Sequence, residues 1–552
     1  IPVLMGFLIR GRIVAEQRNP LNRLLTWCYR PVIRAATKLP WLVIAISMLL
    51  MGSAIWPLSQ LGSEFMPPLD EGDWMYMPTM RPGLPIGEAS QLLQQTDRLI
   101  KTIPEVESVF GKIGRAETAT DPAPLTMIET LIRFKPESEW REGMTIESIR
   151  NEIQQTVQLP GVTNVWVMPI KTRIDMLATG IKTPVGIKIG GADLSVVQAL
   201  GRELESLLGD FPGTASVYAE RVVGGRYVVV DIDRSKSARL GLNIDDVQAV
   251  VSSAIGGMNV SETIEGLERF PINLRYPSRE RDSLENIRDL PVITPQGARI
   301  PLSDIASIRV EDGPPMIKSE NARPTGWVYV DLADIDVGTY VASAQTYLRD
   351  KLELPAGYTI AWSGQYEYME RAIERLKIIV PFTILIITFL LYLAFNRVGE
   401  VLIVLATLPM SIAGSSWLLW YLDFDLSVAV AVGLIALAGV AVEIGVIMLV
   451  YLNQYKDAYL DQARTSGGIT QEGLRTAISD GALQRLRPIV MTMAAITAGL
   501  FPIMFGQGTG SEVMQRIAAP MIGGMVSTLL LTLLVLPATY LLWQRMLLRK
   551  EM

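Results

Sequence analysis

The stretch LSVAVAVGLIALAGVAVEIGVIMLVYL (residues 426–452) carries one charged side chain, Glu443, in 27 residues. A helix crosses a bilayer in about 20 residues, so this run is long enough to span and makes the chain a membrane protein. Five other apolar runs meet the same rule, near 39–58, 377–395, 400–421, 488–506 and 518–543. The chain is 49% hydrophobic and 19% charged, with a mean hydropathy of +0.29, high for a soluble protein. Between the first and second runs lie residues 59–376, of ordinary soluble composition.

Lys and Arg set the orientation. Seven lie in 1–38 (Arg10, Arg12, Arg18, Arg23, Arg30, Arg34, Lys38), five in 453–487, and more in the tail after 543. The connection 422–425 has none and 507–517 has only Arg516. Both termini are therefore expected in the cytoplasm and the large domain outside. The layout reads as a cytoplasmic segment 1–38, a span 39–58, an outside domain, five spans over 377–543 and a tail 544–552. The first residue is Ile1 and the opening stretch is basic, which reads as a piece of something longer.

Composition removes several function classes. The formal charge is −6, against nucleic-acid binding. There is no His, and Cys28 is the single Cys, so a His-ligated zinc centre, a Ser-His-Asp triad and an intrachain disulfide are excluded. No Walker-type Gly-Lys-Ser/Thr occurs, which disfavours ATP-driven transport. An enzyme is the least favoured class.

The outside domain contains a repeat. Strand 73–80, helix 86–103, strands near 106–112 and 125–135, helix 145–158 and strand 163–169 make βαββαβ, the ferredoxin-like unit, within 59–180. The order restarts within 181–376 with strand 184–190, helix 193–209 and strand 214–221. It resumes with strand 326–332, helix 338–352 and strand 357–364. Residues 222–318 read as a subdomain inserted into this second repeat. The fold class is thus a polytopic α-helical membrane protein with a large α+β domain of tandem ferredoxin-like repeats.

Several blocks resemble the second half of resistance–nodulation–division (RND) efflux transporters, in their heavy-metal branch and most closely the Cus-type copper/silver pumps. They include EFMPPLDEGD (64–73), GRAETATDPAPL (114–125), LPGVTNVWVMPIKTRIDMLATGIKTPVGIK (159–188), ERFPINLRYP (268–277), SGQYEYMERA (363–372) and GTGSEVMQRIAAPMIGGM (508–525). The resemblance implies a proton-driven exporter of Cu(I) and Ag(I) in the bacterial inner membrane, its large domain periplasmic. It implies a homotrimer working with a periplasmic adaptor and an outer-membrane channel, and a matching N-terminal half absent here. It implies no resident cofactor; the metal is transient cargo. The insertion 222–318 matches the part that docks to the channel.

Met77, Met127 and Met176 match the three-methionine site of that family. Met77 lies on the first strand and Met127 at the start of the third, which are neighbours in such a sheet. Thioethers are soft, neutral ligands that select Cu(I), and by the same softness Ag(I); Met is otherwise an adaptable core filler, and Met75 and Met80 lie close by. Glu71, Asp121, Glu129, Arg173 and Lys182 match cleft positions, where carboxylates would concentrate cations or simply be solvated. Glu443, mid-span and flanked by Ala438, Gly439, Ala441 and Gly445, is expected to be desolvated and to cycle protons. In the Cus-type pumps that the chain resembles, the motif at 485–492 carries a Lys after the Pro; here RLRPIVMT has Ile489 instead. Ile489 favours, mildly, a zinc, cobalt or nickel pump of the same branch. A membrane sensor or protein-translocation subunit could share the layout, but a sensor would not need the mid-span acid and a translocation subunit would not need the Met trio.

Overall fold

The computed structural model describes residues 20–67, 69–80, 84–114, 127–333, 335–466, 468–506 and 508–548. Asp121 lies outside them. Helix α1 (Pro20–Lys38) precedes the first span, α2 (Pro40–Ser53), which continues through the short turn Ile55–Gln60. Pro40 sits at the first helical position, where its fixed φ fits and its missing N–H costs nothing.

The first repeat follows as β1 (Asp73–Tyr76), α3 (Ile86–Ile100), β2 (Val106–Ile113), β3 (Ile128–Phe134), α4 (Ile146–Thr156) and β4 (Trp166–Val167). Its sheet runs β2-β3-β1-β4, so β1 and β3 are neighbours. Alternation divides β1. Trp74 and Tyr76 join Ile132, Ile149 and Ile153 in the core under α3 and α4, while Met75 and Met77 point to the other face. Helix α5 (Pro169–Thr179) comes next and carries Met176.

The second repeat is β5 (Val185–Gly190), α6 (Leu194–Gly209), β6 (Thr214–Ala219), β7 (Arg323–Leu332), α7 (Val337–Lys351) and β8 (Thr359–Gly364). Strand β7 pairs with β5 and β6, and β8 with β5, which repeats the order of the first sheet. Between β6 and β7 lies a separate small core around Leu242, Val247, Leu302 and Ile305, and a ribbon of Met258–Glu265 with Glu268–Leu274.

Five spanning helices close the chain: α8 (Gln365–Phe395), α9 (Val398–Leu405 continuing as Thr407–Tyr421), α10 (Val428–Ser466), α11 (Gln471–Met504) and α12 (Ser511–Leu547). With α2 they are the six helices long and apolar enough to cross a membrane among the described residues. In lipid, helices associate by close packing and hydrogen bonds rather than by hydrophobic burial. The α9–α12 crossing follows that rule. A Cβ on Gly414 would sit 2.2 Å from the Gly523 carbonyl, so the backbones touch. Ser415 Oγ donates to the Pro520 carbonyl at 2.6 Å and Ser527 Oγ to that of Met410 at 3.1 Å.

Candidate metal and proton sites

Helix α5 is held at both ends by sequence-specific devices. The Glu71 carboxylate accepts from the amides of Ile170 and Lys171, 2.7 Å each, at the positive end of the helix. Gly180 closes the other end at φ 80°, its amide donating to the Met176 carbonyl at 2.8 Å. A Cβ at Gly180 would lie 2.2 Å from the Trp327 ring of β7, so this turn also seats the helix against the second repeat. Glu71 is thus a helix cap, and its charge is largely spent on backbone amides.

The β1–β3 register pairs Tyr76 with Thr130; one step further sets Met77 opposite Glu129. Directly opposed residues share a face; Met127 immediately precedes β3, two residues before Glu129. Arg173 of α5 reaches Glu129 at 3.0 Å, and Lys112 of β2 reaches it at 2.8 Å. Met176 lies one turn beyond Arg173. Glu129, 5% exposed, thus stands opposite Met77, follows Met127 by two residues and pairs with Arg173, one turn before Met176 on α5. Met77 is 1% exposed, while Met127 and Met176 are half-buried. Met77 stands outside the apolar core cluster of its own repeat.

Lys182 closes the far side. Its Nζ donates to Thr79 Oγ1 at 2.9 Å and to the Met77 carbonyl at 3.4 Å, and lies 5.4 Å from the Tyr329 ring. Burial pushes its ammonium down to about 8, partly opposed by Glu220. Glu129 is therefore buried and Lys182 half-buried beside Met77, while Arg173, paired with Glu129, keeps its side chain 39% exposed.

On α10, Ala441 and Gly445 pack inward, Gly445 against Val404 and Thr407, but Glu443 itself is exposed and a Cβ on Gly439 meets nothing within 4 Å. The described helices do not enclose the acid. It shares an open stripe with Val432, Ala436 and Gly439; on α11, Ala494, Ala495, Ala498 and Gly499 are exposed as well. Ile489 faces the other way, 4% exposed in the bundle core.

A cavity of about 1060 Å³ lies where the spans meet the α+β domain, lined among others by Glu64, Asp175, Lys182, Asp331, Asp336 and Asp425. Residues 62–65 cross it. The amides of Gly62 and Ser63 donate to Asp425 Oδ1 (2.9 Å) and Asp336 Oδ1 (2.8 Å). The Glu64 amide donates to the Leu426 carbonyl at 3.0 Å. One short segment thus ties the α9–α10 connection to the start of α7. Glu64 faces Arg516 of α12 at 3.0 Å, and Arg516 stacks on Phe424.

The AcrB/AcrD/AcrF family profile matches residues 1–544. The chain belongs to this family. Within the family it is 50% identical to the cation efflux system protein SilA of Salmonella typhimurium, over 99% of this chain and 52% of SilA. It is 49% identical to the cation efflux system protein CusA of Escherichia coli K12 (98% and 52%), and 33% to the cobalt-zinc-cadmium resistance protein CzcA of Cupriavidus metallidurans (99% and 51%). A crystal structure of a heavy metal efflux pump superposes with a TM-score of 0.81 at 27% identity, covering 96% of this chain and 53% of that one. The chain spans about half the length of the curated relatives it matches. The resemblance to the heavy-metal RND branch is borne out.

Reasoning from the sequence missed the Glu64–Arg516 pair of this family member. The signal was present: Arg516 is the one basic residue in 507–517, and Glu64 follows the first span closely. Burial raises the Glu64 pKa to about 7, with Arg516 opposing and Asp425 and Asp336 assisting. A carboxyl raised in the folded state takes up its proton there first. Its stabilising effect is complete below the unfolded value and is lost as pH rises through about 7. The thermal midpoint of the detergent-solubilised chain should therefore fall between pH 5 and 8. Glu64→Gln should flatten that slope by about 1 kcal/mol, allowing for solvent screening at a partly open carboxylate. Superimposable pH profiles for the two proteins would remove the assignment.

Proposed function

We propose that this chain is the C-terminal half of a proton-driven exporter of monovalent copper and silver, a secondary antiporter rather than an enzyme. The observation that supports the reading is that Glu129 stands opposite Met77, two residues after Met127, and pairs with Arg173, one turn before Met176 on α5. Thioethers stay neutral on binding, so capture releases no proton, and they favour soft monovalent ions. The acid-lined cavity supplies a field that raises the local cation concentration.

In this reading the protein lies in the bacterial inner membrane with the α+β domain in the periplasm. It works as a trimer with an adaptor and an outer-membrane channel, which meets the inserted subdomain 222–318. Glu443 carries the coupling proton. The open α10–α11 face supports a missing N-terminal half that would enclose it, since an uncovered mid-span carboxylate is costly in lipid. Ile489 mildly favours a divalent zinc, cobalt or nickel cargo as the second reading, while the 33% identity to CzcA, against 50% to SilA, supports it less. A chain with no His, and with no three Asp, Glu or Cys side chains placed to hold one metal ion among the described residues, favours it less.

Titration calorimetry of the full chain with Ag(I), Cu(I) and Zn(II) tests this. The expected result is one Ag(I) or Cu(I) per chain, bound at least about a hundredfold tighter than Zn(II). Preferential Zn(II) binding would replace the first reading with the second.

A further inference from the structure

Helix α1 is the element that no part of the transport reading uses. Its sequence, PLNRLLTWCYRPVIRAATK, contains no acidic residue. At 100° per residue, Arg23, Trp27, Arg30, Arg34 and Lys38 fall on an arc of about 80°. All five are exposed, Trp27 at 76%. None of the four cations forms a hydrogen bond or ion pair with another described residue. Beside this row lies an exposed apolar sector with Leu24 and Val32.

The opposite side of α1 is fixed. Tyr29 and Ile33 are buried against α11 and α12, the Tyr29 hydroxyl donates to the Leu533 carbonyl at 2.6 Å, and Thr37 meets Ser479 at 3.3 Å. The basic row therefore cannot roll away from where it points.

Two groups of tryptophans locate that place. Trp41, 72% exposed, opens α2 just after α1. Trp56, Trp417 and Trp420 cluster with centroids 5.0–5.9 Å apart at the other end of the same span. About 22 Å of helix separates Trp41 from Trp56. Tryptophans mark the headgroup zones, so α1 lies in the headgroup zone remote from the α+β domain. An ordinary solvated basic face would not place a Trp in the middle of its row at 76% exposure. A helix seated among headgroups would, with its cations at phosphate level and its apolar sector below.

We propose that α1 is a binding surface for anionic phospholipid, Arg23, Arg30, Arg34 and Lys38 taking headgroup phosphates while Trp27 and Leu24 enter the top of the acyl layer. The proposal is independent of which ion the protein carries.

The full chain, delipidated in detergent, is titrated with dioleoyl phosphatidylglycerol or phosphatidylcholine and the bound lipids are counted by native mass spectrometry. Phosphatidylglycerol should bind at least about tenfold tighter. The joint substitution Arg23→Gln, Arg30→Gln, Arg34→Gln and Lys38→Gln should abolish the difference. A second measurement needs no charge variant: bromine-labelled phosphatidylglycerol should quench the fluorescence that Trp27→Phe removes, and labelled phosphatidylcholine should quench it less. Equal binding of the two lipids, a preference that survives the four substitutions, or equal quenching would overturn the proposal. So would full competition by millimolar glycerol phosphate, which would make the ligand a free phosphate and not a membrane.

Discussion

Met77→Ile should cost the chain more than roughly a hundredfold in Ag(I) affinity while leaving it folded. The two halves of that expectation have separate causes. Ile has nearly the volume and polarity of Met, and such swaps in a packed interior cost less than about 1.5 kcal/mol. Met77 is 1% exposed, so packing is what the fold asks of it. The sulfur is a different matter, because Ile has no lone pair to offer. Changes in outer-shell partners alone cost 10–100-fold in metal affinity, and the loss of a direct donor should exceed that range. The same logic applies to Met127→Ile and Met176→Ile.

Met75 provides the control. It shares the sheet face with Met77, is 6% exposed and sits two residues earlier on β1. If these methionines were only core fillers, Met75→Ile and Met77→Ile would behave alike. The expected outcome is loss of binding for Met77→Ile and unchanged binding for Met75→Ile, with similar thermal midpoints. In cells expressing the whole transporter, the triple Ile variant should lose copper and silver resistance at unchanged expression. A triple variant that still confers full resistance would withdraw the copper and silver assignment and leave the family membership standing.

What the sequence revealed and what it hid follow from the range of the interactions involved. The six spans are local: each is a run of apolar residues, and the Lys and Arg bias around them is local too. The repeats were readable because strands such as 184–190 and helices such as 193–209 switch period over a few residues. Strand β1 is shorter than its sequence suggests, because Pro78 has no amide to give a ladder. Glu71 looked like a cleft charge; that it caps α5, some 100 residues away, is a contact that no local pattern encodes. The Glu64–Arg516 pair is the same kind of fact across more than 450 residues. Helix α1 was hidden for another reason: the segment 1–38 stands out only by its basic residues until its 3.6-residue period is followed, and Trp27 breaks the pattern of an ordinary amphipathic face.

Glu443→Gln should stop proton-coupled metal flux in the reconstituted full-length transporter while leaving Ag(I) binding by the α+β domain intact. The carboxyl lies mid-span on α10, with no other charge within ten residues on either side. Insertion of such a charge costs about 2.5–3.5 kcal/mol at a helix centre, so a purely structural account would have it removed at a gain. Gln keeps the shape and hydrogen-bonding atoms but cannot exchange a proton. If Glu443 serves only to pack against another helix, the variant should retain flux. If it carries the coupling proton, flux should fall to the level of protein-free vesicles under an imposed pH gradient, with insertion and thermal stability equal or improved. The open stripe around Gly439 sharpens the expectation. Gly439→Leu fills space that is empty in this half of the protein, so a loss of flux with no loss of stability of the isolated chain would trace the coupling to whatever packs against that face. Metal flux that continues to follow the pH gradient in Glu443→Gln would move the proton elsewhere.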